Sequence, residues 1–213
     1  MANAYIYLHY VLDEWFSEVI QPRLKGRSFI VRYADDFVLG FERAGDANRV
    51  MEVLSKRFEK YYLRLHPDKT RIINLNQPER GNRSFDFLGF THYMGRSRKG
   101  KPVLKRKTSK NKYSNALIAM GEWLKRNRHN KIKGIIRDLN VKLRGYYNYY
   151  GITFNSRRLA SYYHQVKALL YKWLNRRGGK PTWIWERFTK LVTHWCPLLK
   201  PRIYRSYLTA KPN

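Results

Sequence analysis

Two adjacent carboxylates, Asp35 and Asp36, stand between short β-rich runs in the sequence Tyr33-Ala34-Asp35-Asp36. Held side by side, carboxylates repel each other and favour the protonated form. A divalent cation relieves that repulsion, and ligands that are all oxygen suit Mg²⁺. Two such ions about 4 Å apart would stabilise both the attacking and the leaving oxygen of a phosphoryl transfer. Taken alone, an Asp-Asp pair at a turn is more often simply solvated. Apolar strands on both sides favour the chemical reading, because they would hold the acids rigidly at a sheet edge. No other local cluster competes with this one. The single Cys196 excludes an intramolecular disulfide and a cysteine-cluster zinc site, and no pair of histidines has zinc-ligand spacing.

The elements that must position these acids are legible from periodicity. Residues 28–33 and 37–41 read as a hairpin with the acids at its tip. Residues 4–20 read as a helix with Tyr5, Leu8, Leu12, Trp15 and Val19 on one face. A second helix carries Val50, Leu54, Phe58, Tyr61 and Leu65, with Asp46 as its expected cap. His66-Pro67-Asp68 ends that pattern; residues 71–75 read as a strand, 77–82 as a loop and 85–93 as extended chain. The basic stretch 95–102 is a Gly-containing turn, and residues 103–107 are placed to pair back across it. Beyond it the pattern is helical. One stripe is Tyr113, Leu117, Met120 and Leu124; a second is Ile132, Ile136, Leu139, Leu143 and Tyr147, closed by Gly151. A third, capped by Ser156, is Leu159, Tyr163, Val166, Leu170 and Trp173, and residues 181–194 form a shorter fourth helix.

The charge is unevenly placed. The 213 residues carry a formal net charge of +29. Residues 1–86 hold 14 Lys+Arg against 12 Asp+Glu, a net of +2, whereas residues 87–213 hold 30 against 3, a net of +27. The three acids of the second part are Glu122, Asp138 and Glu186. Such a charge works against compactness by self-repulsion, and a polyanionic partner is the usual reason to tolerate it. Aromatic content is 15%, including 17 Tyr and 6 Trp, which suits base stacking as well as core packing. No signal peptide is visible and no apolar run is long enough to span a bilayer, so no membrane partner is expected.

Four blocks in register resemble group II intron-encoded reverse transcriptase/maturases. FIVRYADDFVLGF (29–41) resembles the catalytic hairpin of reverse transcriptases, and RLHPDKTR (64–71) the block that follows it. FDFLGF (85–90) resembles the next palm block, near the primer, and LNVKLRGYYNYYG (139–151) the thumb or maturase signature. The resemblance implies an α+β fold. Residues 1–94 would be a partial palm: a small antiparallel sheet with two helices on one face. Residues 95–213 would be a basic helical thumb/maturase domain. It implies that Asp35 is the metal-binding carboxylate, supported by Asp36, with Mg²⁺ as cofactor. Tyr33 and Ala34 would shape the tip against the primer end. Lys69 would lie near the incoming triphosphate as proton donor or charge stabiliser; a solvated turn lysine is the alternative. Phe87, Leu88 and Gly89 would lie in the primer vicinity, chiefly as core and backbone fit. RNA contacts are expected from Arg96, Arg98, Lys99, Lys101, Lys105, Arg106 and Lys107, and from Arg144, Tyr146 and Tyr147, with a solvated charged loop as the alternative for the first seven.

The same resemblance implies an earlier palm strand, bearing another metal-binding aspartate, that these residues do not supply; Asp13 and Glu14 fall inside the first helix. The chain therefore reads as a C-terminal portion of such a protein, inactive as a polymerase unless an N-terminal chain complements it. Three functions follow. The first is splicing assistance by binding intron RNA, in a cytoplasmic ribonucleoprotein of a bacterial or organellar host. The second is RNA-directed DNA polymerase (nucleotidyltransferase) chemistry of a mobile element, on an RNA template with a DNA primer or target. The third is a non-catalytic structural RNA-binding protein, which explains the charge but not the ordered blocks.

Overall fold

In the computed structural model, residues 6–75, 84–178 and 182–206 are described. The expected loop at 77–82 and residues 4 and 5 of the first helix lie outside them. The fold is α+β, with two small antiparallel sheets. The chain divides into two compact units, Met1–Phe87 and Leu88–Asn213.

In the first unit, helix α1 (His9–Ile20) runs through a 3-10 turn, Gln21–Arg23, into strands β1 (Ser28–Tyr33) and β2 (Asp36–Phe41); α2 (Ala44–Lys60) and β3 (Ser84–Phe87) follow. The hydrogen bonding of α1 is of π type, and it buries Val11, Leu12, Phe16 and Ile20. Of the expected stripe, Leu12 is buried and Leu8 and Trp15 pack against the same core, while Phe16 and Ile20 are buried where Val19 was expected. The wider π turn brings residues four apart into line, so 12, 16 and 20 stack where 8, 12, 15 and 19 would in a regular helix. The stripe of α2 holds for Val50, Leu54 and Phe58, which are buried, but the helix ends at Lys60, so Tyr61 and Leu65 follow it outside the helix. Leu12 of α1 and Leu54 and Phe58 of α2 pack with Ile30, Phe37 and Leu39 of the sheet. Both helices thus cover one face of the hairpin.

Asp46 does not cap α2. It is buried at 3% exposure, and its Oδ2 accepts the backbone N–H groups of Lys25 (3.1 Å) and Gly26 (3.0 Å). Two amides of the loop before β1 claim this acceptor. Residues 71–75, read as a strand, are irregular; β-rich residues become a strand only where a neighbour supplies a ladder.

The second unit begins in a turn. The segment read as continuous extended chain over 85–93 is broken by Leu88 (φ 49°) and Gly89 (φ 77°), both in the left-handed region. Then β4 (Phe90–Arg96) pairs antiparallel with β5 (Pro102–Thr108), in a register that sets Tyr93 opposite Lys105 and Thr91 opposite Lys107. Helices α3 (Lys110–Asn127), α4 (Ile132–Tyr150), α5 (Ser156–Leu174) and α6 (Trp185–Lys190), extended by a π turn over Leu191–Trp195, complete it. Their core includes Leu139, Leu143 and Tyr147 of α4 with Leu159, Tyr162, Val166, Leu170 and Leu174 of α5 and Phe188 of α6. Tyr162 and Leu174 replace Tyr163 and Trp173, one residue away, on the buried stripe of α5.

The residue before α5 is Asn155, not Ser156, and it is fully buried. Its Oδ1 accepts the Thr108 N–H (2.9 Å), and its Nδ2 donates to Thr108 Oγ1 (2.8 Å) and to the Tyr150 carbonyl (2.8 Å). One side chain therefore joins the end of β5, the end of α4 and the start of α5. Gly151 beside it is required: a Cβ there would lie 2.3 Å from the Tyr147 carbonyl oxygen and 2.9 Å from that of Arg202. Neither backbone atom can yield. Through this gap residues 204 and 205 donate their N–H groups to the Gly151 carbonyl (2.7 and 3.0 Å).

Candidate catalytic hairpin and nucleic-acid interface

Cross-strand pairing places each hairpin residue on a face. Tyr33 stands opposite Asp36, Val31 opposite Val38 and Phe29 opposite Gly40; these point away from the helices. Directly opposed residues share a face, so Tyr33 and Asp36 share the open one. Tyr33 is 66% exposed, with Phe29 and Val31 exposed in line behind it. The Phe29 ring lies across Gly40, where any Cβ would meet it at 2.3 Å. Ala34 and Asp35 form the two-residue turn, and Asp36 is already the first residue of β2. Ala34 has φ 54°. A residue with a Cβ pays about 1–2 kcal/mol for that conformation, so something must hold the tip in place.

Arg32 holds it. Its side chain is 6% exposed and points to the core, where Nε and Nη2 donate to both oxygens of Asp13 on α1 at 2.5–3.0 Å. Its Nη1 donates to the Ala34 carbonyl at 2.9 Å. Burial alone would raise the Asp13 pKa, but hydrogen bonds and charge from Arg32 and His9 outweigh it and hold the carboxyl below its ordinary range. Asp13 therefore serves the tip as an anchor for Arg32. The sequence contains the signal: an arginine at an inward position of an alternating strand demands a buried acid.

Asp35 and Asp36 are exposed at the tip. Among the described residues no third His, Cys, Asp or Glu joins them in a metal-sized group. Lys69 is exposed in a turn whose backbone N–H bonds to the His66 carbonyl (3.2 Å); among the described residues no hydrogen bond or ion pair links it to either carboxylate. Phe87 closes β3. In the second unit, the Leu88 carbonyl accepts the Tyr149 hydroxyl (2.8 Å) and the Gly89 carbonyl accepts the Ser109 N–H (3.0 Å). The turn at 88–89 is thus held by α4 and by the start of α3.

Most cations of the second unit have no acid to neutralise them. Three acids cannot balance thirty Lys and Arg, and one of them, Asp138, is paired with its neighbour Arg137 (3.0 Å). Arg96, Arg98, Lys99 and Lys101 are exposed at the β4–β5 tip, which the Ser97 N–H closes by donating to the Lys101 carbonyl (2.8 Å). Lys105 and Lys107 share one face of β5 and set their ammonium groups over Phe154 (5.5 Å) and Tyr93 (5.0 Å), while Arg106 faces the other way, opposite His92. Such ring contacts orient a cation without cancelling its charge.

Residues 1–92 match the family model described as reverse transcriptase (RNA-dependent DNA polymerase). Residues 116–194 match the one described as the group II intron maturase-specific domain. The chain belongs to the group II intron reverse transcriptase/maturase family. Comparison with curated proteins finds no match.

Within the maturase-specific region, Arg144 is exposed on α4. Tyr147 is a correction: expected to contact RNA, it is fully buried and offers no face to a base. Burial also raises its pKa, so the phenol stays protonated. Its spacing of four from Leu139 and Leu143 carried this information. Tyr146 is half-buried, stacked on Tyr162 with ring centroids 3.8 Å apart and planes 12° off parallel, so one ring face is occupied by protein. Tyr149, which no expectation singled out for RNA, is the exposed tyrosine of the group at 53%. Among the described residues no helix is long and apolar enough to cross a membrane.

Proposed function

We propose that this reverse transcriptase/maturase binds folded group II intron RNA through the unit Leu88–Asn213 and assists splicing by stabilising the active RNA fold. The observation that carries this reading is the balance of 30 cations to 3 acids in that unit, beside a near-neutral first unit. Lys and Arg on the β4–β5 tip and on the outer faces of the helices would contact phosphates, and exposed aromatics would stack on unpaired bases. Splicing assistance of this kind needs no bond-making by the protein. The test is affinity for a group II intron RNA against salt. Engagement of six to ten phosphates predicts a loss of about 10³–10⁵ between 50 and 200 mM salt. An affinity that barely moves over that range rules the reading out.

The hairpin favours a second activity, RNA-templated DNA synthesis, which needs a further metal-binding carboxylate besides Asp35 and Asp36. Asp35 and Asp36 offer exposed oxygen ligands to Mg²⁺ and leave other positions to water and phosphate, the usual pattern for this ion. Bound there, it would supply charge stabilisation for phosphoryl transfer. Arg32 keeps the tip shaped through the Ala34 carbonyl, and Tyr33, beside Asp36 on the open face, would meet the primer end. Primer extension by a form that carries that further carboxylate should vanish in Asp35→Ala, with intron-RNA affinity unchanged. Extension that survives Asp35→Ala removes the hairpin from the chemistry.

A further inference from the structure

Helices α3 and α5 enclose a groove of about 350 Å³ whose composition differs from the rest of the cationic unit. Its floor is apolar, from Leu117 and Leu169, and Gly121 lines it beside Leu169, where a Cβ would reach Leu169 Cδ2 at 3.7 Å, an ordinary contact. Its wall is Trp173, around whose ring stand the cations of Lys172 (5.4 Å), Arg176 (5.7 Å) and Arg128 (5.8 Å). Its polar groups are Gln165, Lys172 and Glu122.

Glu122 is the informative residue. It is one of only three acids in a unit with thirty cations, and it makes no ion pair among the described residues. A free carboxylate in this place weakens the hold on phosphate, so a purely electrostatic surface gains nothing from it. It gains if what enters the groove presents a hydrogen-bond donor. An unstacked base does so through its exocyclic amino group, and a carboxylate accepting from cytosine N4 is an established pairing. Gln165 adds an amide that can donate to the ring nitrogen beside that amino group. An indole wall supplies the stacking surface, and flanking cations are suited to the phosphates on either side.

We propose that the α3–α5 groove is a base-recognition subsite that takes one unpaired, amino-bearing nucleotide of the bound RNA. The ring lies against Trp173, its amino group donates to Glu122, and Lys172 and Arg176 hold its phosphates. The proposal rests on the RNA-binding reading above and adds to it a preference that charge alone cannot give.

The experiment compares single-stranded C₁₀ and U₁₀ RNA binding to the full chain at fixed low salt, by fluorescence anisotropy. Cytosine presents an amino donor where uracil presents a carbonyl acceptor, so C₁₀ should bind roughly tenfold tighter. In Glu122→Gln, an exposed helical position where glutamine is equally at home, the preference should fall below about twofold, since the amide serves both bases. The dependence on salt should stay as in the wild type, because no phosphate contact is lost. Equal, salt-sensitive binding of the two RNAs by the wild type, or a preference that survives Glu122→Gln, overturns the subsite and leaves general RNA binding intact. Failure of both RNAs to bind at low salt overturns both.

Discussion

Replacing Asn155 by alanine probes the joint on which the second unit is built. The variant loses three hydrogen bonds at a fully buried position. The Thr108 N–H, on a residue with 0% exposure, would then lack its acceptor. An orphaned buried donor costs about 1–3 kcal/mol. The Thr108 hydroxyl and the Tyr150 carbonyl each lose a donor as well, at roughly 0.5–1 kcal/mol each. The expected loss is about 3–4 kcal/mol, or a fall in Tm of roughly 10–15 °C for a unit of this size. Urea denaturation followed by circular dichroism, with thermal melts alongside, measures it. Asn140→Ala is the comparator: Asn140 makes an equivalent pair of contacts, to the Pro197 carbonyl (2.9 Å) and from the Leu199 N–H (2.8 Å), but is only half-buried. Water can replace those bonds, so about 1 kcal/mol is expected there. If Asn155→Ala costs no more than Asn140→Ala, burial is not what makes this joint matter. RNA affinity should drop in Asn155→Ala as well, since the strand that carries Lys105 and Lys107 ends at Thr108.

Two further perturbations address the hairpin and the tyrosines. Asp13→Asn leaves the guanidinium of Arg32, 6% exposed, without its carboxylate. Breaking a fully buried pair costs about 3–5 kcal/mol; the 23% exposure of Asp13 reduces that to about 2 kcal/mol through solvent screening. Because the native Asp13 pKa lies below the unfolded one, its contribution is complete above about pH 4 and is lost as pH falls through the lowered native value. The stability gap between wild type and Asp13→Asn, measured by denaturant titration, should therefore narrow between neutral pH and pH 3; a constant gap contradicts the ion pair. Tyr147→Phe removes a buried hydroxyl that has no hydrogen-bond partner among the described residues, so stability should hold or rise by up to about 1 kcal/mol. Intron-RNA affinity should not change; a clear loss of binding would put Tyr147 back at the interface.

The sequence by itself determined the hairpin with its two acids, the Val50, Leu54 and Phe58 stripe of α2, the pairing of 103–107 across the basic turn, and the segregation of charge beyond residue 87. All of these are local or additive: alternation, spacings of three and four, and composition need no knowledge of what lies across the core. Tertiary structure decided the rest. Arg32 finds Asp13 across 19 residues, and Asn155 finds Thr108 across 47. No period links such partners; they are chosen because a buried polar group must be matched by whatever the packing brings near it. The π-type turns of α1 brought Phe16 and Ile20 into the core beside the expected Leu12, and packing sent Tyr147 inward while leaving Tyr149 at the surface. The groove that isolates Glu122 exists only because two helices, with Gly121 and Leu169 at their contact, lie side by side. The meaning of a lone acid among cations depends on its surroundings, and surroundings are what a linear sequence does not state.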